Sequence, residues 1–483
     1  MDKNSWCVRK VSQYPQVMPT HLWSNSRIPC QLSKPEGVGL EVERYLRSNS
    51  RFLANFSNLR VLDLRYNNIS GPIPVSFANF SNLRVLDLKS NDISGPIPRS
   101  FANFPNLRVL DLKSNDISDP IPGSFANFPN LRSTPRLHWQ PQNVVHDRSF
   151  ILQFLWTNRN VNGKPNTIDL ELNENQFEGS TPSSLFSLPL LLQLNLSHNQ
   201  FSGELAFSNV SSNLAVLDLS FNNLEGQISV SILNFGGLQS LGLSSNNFNA
   251  FPFNGPQQLK YLTNIDLSNN RPSFKSTSGQ IPTFLPFAKY LDYSRNNFSS
   301  IPSNIGDFLT DTLLFSLSSN NLHGLIPASI CNAPNIQILD MSNNSLSGMI
   351  PQCLTAIRDI SVLNLARNNL TGTISNFEVS KDSSLEILEI GRNRFGGQVP
   401  KSLPKCTKLK VLNMGNNNII DSFPCLLKSI STLRVLVLRS NNFYGGIECL
   451  NTNGTWPGLQ IIDLAHNNFR GEIQEYFGEH GIQ

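Results

Sequence analysis

The chain has 483 residues, with 38 lysines and arginines against 34 aspartates and glutamates, a formal net charge of +4. This near balance gives no electrostatic footprint for nucleic acid or an anionic membrane. Seven cysteines, an odd number, leave at least one outside any pairing within the chain.

Residues 1 to 51 carry no repeat and read as a leader, disordered or capping, with Cys7 and Cys30. The first twenty residues lack the apolar run of a secretory leader, and no stretch reaches the roughly 18 apolar residues of a membrane-spanning helix. From residue 52 to 132 a 24-residue unit repeats three times. Its form at residues 83 to 106 is LRVLDLKSNDISGPIPRSFANFPN, with leucines at the first, fourth and sixth places, Asn at the ninth, and a Gly-x-Ile-Pro tail. The frame then fails between residues 133 and 166, an irregular insertion or degraded repeat that is expected to interrupt the array. It resumes at Leu170, Leu172 and Asn175 and continues through the main block, 167 to 483, where the chain stops within a repeat tail without a polar cap. About sixteen units of about 24 residues result. A unit of this size buries its apolar edge only against the next copy, so the array is a solenoid and not a set of globular domains.

Within a unit, Leu86-Asp87-Leu88-Lys89 alternates as a short strand does, leucines inward and polar residues outward. Stacked copies predict a parallel sheet, with Ile93, Ile97, Phe101 and Phe104 filling the interior from the return path. The ninth-place asparagine both donates and accepts, and is expected to satisfy turn backbone that burial would otherwise orphan. This predicted ladder comprises Asn67, Asn91, Asn115, Asn175, Asn199, Asn222, Asn246, Asn270, Asn296, Asn320, Asn344, Asn368, Asn393, Asn417, Asn441 and Asn467. Cys425 and Cys449 lie eight places after Asn417 and Asn441, and Cys331 and Cys353 occupy similar places in neighbouring repeats. Turns about 4.8 Å apart bring each couple within disulfide reach, which would indicate an oxidising compartment. Cys406 fits an apolar slot as a free thiol.

The chemistry-bearing residues argue against catalysis. The recurring aspartates (Asp63, Asp87, Asp111, Asp218, Asp266, Asp340, Asp463) all occupy one frame position, so they reflect repetition and not paired acids. The histidines show no metal-ligand spacing, and no CxxC or phosphate-binding loop occurs, so no cofactor and no metal is expected.

The frame LxxLxLxxNxLxGxIP, as in LAVLDLSFNNLEGQI at 214 to 228 and IQILDMSNNSLSGMIP at 336 to 351, resembles the plant-type leucine-rich repeat. Longer stretches, such as FPCLLKSISTLRVLVLRSNNFYGGIECLNTNGTWPGLQIIDLAHNNFRGEI, are similar to the ectodomains of plant receptor-like proteins of the Verticillium wilt resistance type. The resemblance implies an α/β-type solenoid, a superhelix with a parallel β-sheet on the concave face. It implies a receptor at the plasma membrane, facing outward, that senses a microbial or endogenous protein or peptide, acts in defence through partner receptor kinases, and is anchored by a segment this sequence does not contain. The alternative is a soluble extracellular inhibitor resembling the polygalacturonase-inhibiting proteins, or a truncated copy without function. About nine N-x-Ser/Thr sequons occur, close to the chance number.

Recognition in such an array falls on the exposed strand positions, which vary while the frame holds. The candidates are Tyr290, Arg295, Arg367, Arg392 and Arg439. Arg367 and Arg392 hold one place in successive turns, where like charges repel unless an anion bridges them. A carboxylate suits, because guanidinium forks bind it bidentately; the competing reading is that Glu389 and solvent satisfy the pair. Asp63/Arg65, Asp87/Lys89 and Asp111/Lys113 read as solvated, mutually neutralising columns, and Asp169, Glu171 and Glu174 as a small acidic patch.

Overall fold

A computed structural model describes residues 59–123, 168–207, 210–211, 213–250, 259–270, 281, 287–379, 382–447, 449 and 456–471. The leader at 1–51, Cys7 and Cys30, and the segment at 133–166 lie outside the described residues. The chain divides into two compact units, one formed by residues 1–202 and 208–214, the other by 203–207 and 215–483.

In the first unit the strands Val61–Asp63, Val85–Asp87, Val109–Asp111, Ile168–Glu171 and Leu191–Asn195 pair in parallel, in chain order. The register follows the frame: Leu62 stands opposite Leu86, and Leu86 opposite Leu110. The expectation that the lost frame interrupts the sheet is corrected here, because Asp111 pairs directly with Glu171 across it. The second unit repeats the pattern through eleven strands, from Val216–Asp218 to Ile461–Asp463, each joined to the next at the same three frame positions.

Alternation decides what is buried. Leu86, Leu88, Leu363, Leu365, Leu412 and Leu436 are at most 1% exposed, and Phe101, Phe104, Ile93 and Ile97 close the interior from the other side. A fully buried Leu or Phe side chain contributes about 1.5–3 kcal/mol, and the gain is shared between neighbouring turns because each side chain packs on the next copy. The return segments are 3₁₀ turns such as Arg99–Asn103, Ala328–Asn332 and Cys425–Ser429; Gln352–Ala356 is α-helical. The α/β expectation is thereby refined. Five residues between the Pro98 and Phe104 caps cross the outer side faster at the 3₁₀ rise of about 2 Å per residue than as an α-helix.

All sixteen ladder asparagines donate from their side-chain nitrogen to the carbonyl three residues earlier. Inner rungs do more. Asn417 Nδ2 donates to Met414 O at 3.0 Å, Gly415 O at 3.3 Å and, one turn back, Ile390 O at 3.1 Å, while its Oδ1 accepts from Phe395 N at 3.0 Å. The residue before each of these asparagines has a left-handed backbone, φ 51–58°, and this bend is what swings the amide inward. Among the described residues two disulfides staple the outer side, Cys331 to Cys353 and Cys425 to Cys449, with Cα separations of 5.9 and 5.5 Å; Cys406 is free and buried, and burial pushes its thiol up to about 11.

A cleft on the outer face of the sheet

The fifth frame position shows what the recurring acids do. At eleven of the sixteen strands an Asp or Asn there accepts, through Oδ1, the main-chain N–H two residues on, as Asp87 does from Lys89 at 3.2 Å, Asp340 from Ser342 at 2.9 Å and Asn413 from Gly415 at 3.0 Å. These side chains cap the strand end, in the manner of an Asx turn. Glu171 and Glu389 occupy the same position with one more methylene and make no such bond. Each instead accepts from an asparagine of the next strand, Asn195 at 3.0 Å and Asn413 respectively. Sequence reasoning placed Glu171 in an acidic patch and Glu389 beside the arginine pair but did not separate them from the capping Asp and Asn; the signal was a Glu in a slot that otherwise favours Asp or Asn.

Glu389 lies in a cleft of about 370 Å³ in the second unit, lined among others by Arg367, Arg392, Arg439, Asn364, Asn413 and Val437. Its floor is the seventh frame position, where Ala366, Gly391 and Gly415 replace the Ser294, Ser318 and Ser342 of earlier turns. A Cβ added at Gly391 would come within 2.9 Å of Asn413 Oδ1, and one at Gly415 within 3.0 Å of Arg439 Cγ, so the cleft depends on these missing side chains.

The five sequence candidates separate. Arg367, Arg392 and Arg439 come together in the cleft. Tyr290 sits half-buried on the Tyr290–Asp292 strand and Arg295 is exposed just after it. At about 4.8 Å per turn, Arg295 is about 14 Å along the sheet from Arg367, outside the cleft. Arg439 is paired with Asp463 at 3.2 Å and forms a wall of the cleft. Arg367 and Arg392 are exposed, and neither makes an ion pair among the described residues. Both have a left-handed backbone, φ 58° and 56°, a conformation that favours Gly or Asn, so an arginine there gains nothing for the fold. Glu389 does not pair with them. Its carboxyl is raised above the ordinary value by burial, against the hydrogen bond from Asn413.

In the first unit the expected solvated columns are partly buried. Arg65 bridges Asp63 at 3.2 Å and Asp87 at 3.4 Å, Lys113 bonds Glu174 at 2.9 Å, and Lys89 sits over the Tyr66 ring. Burial, with Asp111 alongside, pushes Asp87 up to about 6.

Leucine-rich-repeat family models match residues 48–93 and residues 106–128, 213–235, 335–357 and 408–430. The chain carries leucine-rich repeats and is similar to plant receptor-like proteins. Over 253 residues it is 33% identical to Receptor-like protein 35 of Arabidopsis thaliana, an alignment covering 50% of the chain and 25% of that relative. Receptor-like protein 18 of the same plant is 32% identical over 357 residues, covering 64% and 38%. The chain thus spans well under half of these relatives. Among solved structures it is similar to a TDR receptor (TM-score 0.68, 24% identity, 86% of this chain and 66% of that one), which speaks for the fold. It is also similar to the ectodomain of the Arabidopsis receptor kinase HAESA, solved with an IDA peptide hormone ligand (TM-score 0.57, 29% identity, 88% and 73%). Among the described residues no helix is long and apolar enough to cross a membrane, and no group of three or more His, Cys, Asp or Glu is placed to hold a metal ion.

Proposed function

We propose that this chain is the ligand-recognising part of a plant receptor-like protein, and that it binds a protein or peptide through an acidic group seated between Arg367 and Arg392. The supporting observation is the state of these two arginines: adjacent, exposed, on a backbone unfavourable for them, and not paired by the one carboxylate of their cleft. A guanidinium fork binds a carboxylate bidentately with charge-assisted bonds, and one anion between two forks removes their mutual repulsion. Arg439, held by Asp463, and Asn413, which accepts from Gly415 N–H and donates to Glu389, are fixed walls that lower the ordering cost of binding. The similarity to receptor-like proteins supports this reading, in which the working molecule faces outward at the plasma membrane, acts in pathogen perception and defence signalling, and passes the signal to partner receptor kinases.

Panning a random peptide library with free C-termini against the full chain tests this reading. Selected peptides should end in a carboxylate next to Asp or Glu and lose binding when amidated and neutralised. Selected sequences indifferent to acidic groups would overturn it.

A further inference from the structure

The first unit carries an unsatisfied set of acceptors that the arginine cleft does not use. On the Ile168–Glu171 strand, Asp169 and Glu171 face outward while Leu170 and Leu172 are buried. Asn173 follows on the same face and is 3% exposed. Its Nδ2 reaches Glu174 Oε1 at 3.5 Å, and its Oδ1 is buried with no partner; Asp169 Oδ1 is likewise buried with none. Across the sheet, Asp111 stands opposite Glu171. Among the described residues none of Asp111, Asp169 and Glu171 has an ion pair. Lys113 bonds Glu174, Arg65 bridges Asp63 and Asp87, and Lys89 sits over the Tyr66 ring, so these cations act on Asp111, and Lys113 on Glu171, through space and without an ion pair. Asn195 Nδ2 donates to Glu171 Oε2 at 3.0 Å.

Asp111 Oδ1 already accepts from Lys113 N–H at 3.1 Å, and what remains open on the three carboxylates and the Asn173 carbonyl is acceptor capacity. We infer that Asp111, Asp169, Glu171 and the Asn173 carbonyl form a second recognition site that takes an organic cation with several N–H donors, a guanidinium or alkylammonium group. Acceptors on neighbouring strands lie about 4.8 Å apart and alternate residues along a strand about 6.7 Å apart, a spread that suits a group donating in several directions. Glu171 fits this role because it is released from the strand-end capping that holds the Asp and Asn at its position in other turns. Such a cation comes either from an arginine or lysine side chain of a peptide or from a free polyamine.

Burial keeps protons on this set. It pushes Glu171 up to about 7, with Asp111 and Asp169 adding to it, Asp169 up to about 6, and raises Asp111. Glu174, in spite of its own burial, is held below the ordinary range by Ser114 and Lys113 and stays charged. A bound cation therefore displaces protons, and its affinity falls as pH drops through 7 toward 6.

Isothermal titration of the full chain with N-acetyl-arginine amide, spermidine and the neutral N-acetyl-citrulline amide tests the site. At about pH 7.5 a cation should bind and citrulline should not. Binding should weaken roughly tenfold or more at about pH 5.5 and in Asp169→Asn/Glu171→Gln, which stays folded because it removes buried charge. At intermediate pH the heats should vary with the buffer's ionisation enthalpy, showing proton release. Arginine amide stronger than spermidine assigns a peptide source, and the reverse a polyamine. An Arg367→Glu/Arg392→Glu chain should bind the cations unchanged, which separates this site from the cleft. Undiminished binding by the double carboxamide variant, equal binding of citrulline, or no binding of either cation would overturn the inference.

Discussion

Replacing Asn417 by Leu tests the ladder at an inner rung. The substitution removes three donated bonds and one accepted bond, but their loss is not equal. Met414 O also accepts from Asn441 Nδ2 at 3.0 Å, Ile390 O from Asn393 Nδ2 at 3.2 Å, and Gly415 O from Arg392 N at 2.7 Å. Those carbonyls keep a partner, whereas Phe395 N, beneath a 1% exposed side chain, loses its acceptor. One orphaned buried N–H costs about 1–3 kcal/mol, and three weakened bonds add about 0.5 kcal/mol each, for a destabilisation of about 3 kcal/mol. Asn67 is the internal control. It is exposed and bonds the carbonyls of Leu64 and Arg65 in its own turn, so Asn67→Leu should cost about 1 kcal/mol or less. Urea unfolding followed by circular dichroism, with hydrogen exchange at Phe395 N–H, gives both numbers. Equal stability of the two variants, or an unchanged Phe395 exchange rate in Asn417→Leu, would refute the ladder argument.

Three further outcomes follow from the same geometry. Gly391→Ser should fill the cleft floor and push Asn413 off Glu389, weakening binding of an acidic peptide about tenfold or more by titration, with a small loss of melting temperature. Glu171 holds its proton up to about 7 in the folded chain against an ordinary 4.5, so folding takes up a proton between those values and stability falls as pH rises through them. Glu171→Gln should therefore flatten that slope and stabilise the first unit by about 3 kcal/mol near pH 8, seen in thermal melts at several pH values. Opening the Cys425–Cys449 bridge by a double Ser substitution, which frees a loop of 24 residues, should cost about 3 kcal/mol in non-reducing buffer and nothing under reduction.

Much of the scaffold was legible because repetition makes each position its own control. The leucine alternation, the inward phenylalanines and the asparagine column each recur often enough that one physical role explains every copy. The return path was less so, since a five-residue span such as RSFAN does not declare whether it winds as α or 3₁₀ until the rise it must cover is known. The candidate site was half visible. Arg367 and Arg392 stood out as like charges in register, but the cleft that gives them a purpose comes from what is missing at Gly391 and Gly415. Glu171 and Glu389 were visible as exposed acids but not as exceptions, because one methylene decides whether the carboxylate caps its own strand end or reaches the next strand. The pairing of Asp111 with Glu171 was unreadable because it joins residues separated in sequence by the whole stretch where the frame is lost.

The central claim is that Arg367 and Arg392 together seat an acidic group. Its most direct measurement is the affinity of one acidic peptide, in free-carboxylate and amidated, neutralised forms, for the wild-type chain and for Arg367→Glu/Arg392→Glu. Both residues are exposed, so the variant should fold as the wild type does. The acidic peptide should lose roughly a hundredfold or more in affinity on charge reversal, while the neutral form changes little. Full affinity of the acidic peptide for the charge-reversed chain would contradict the account.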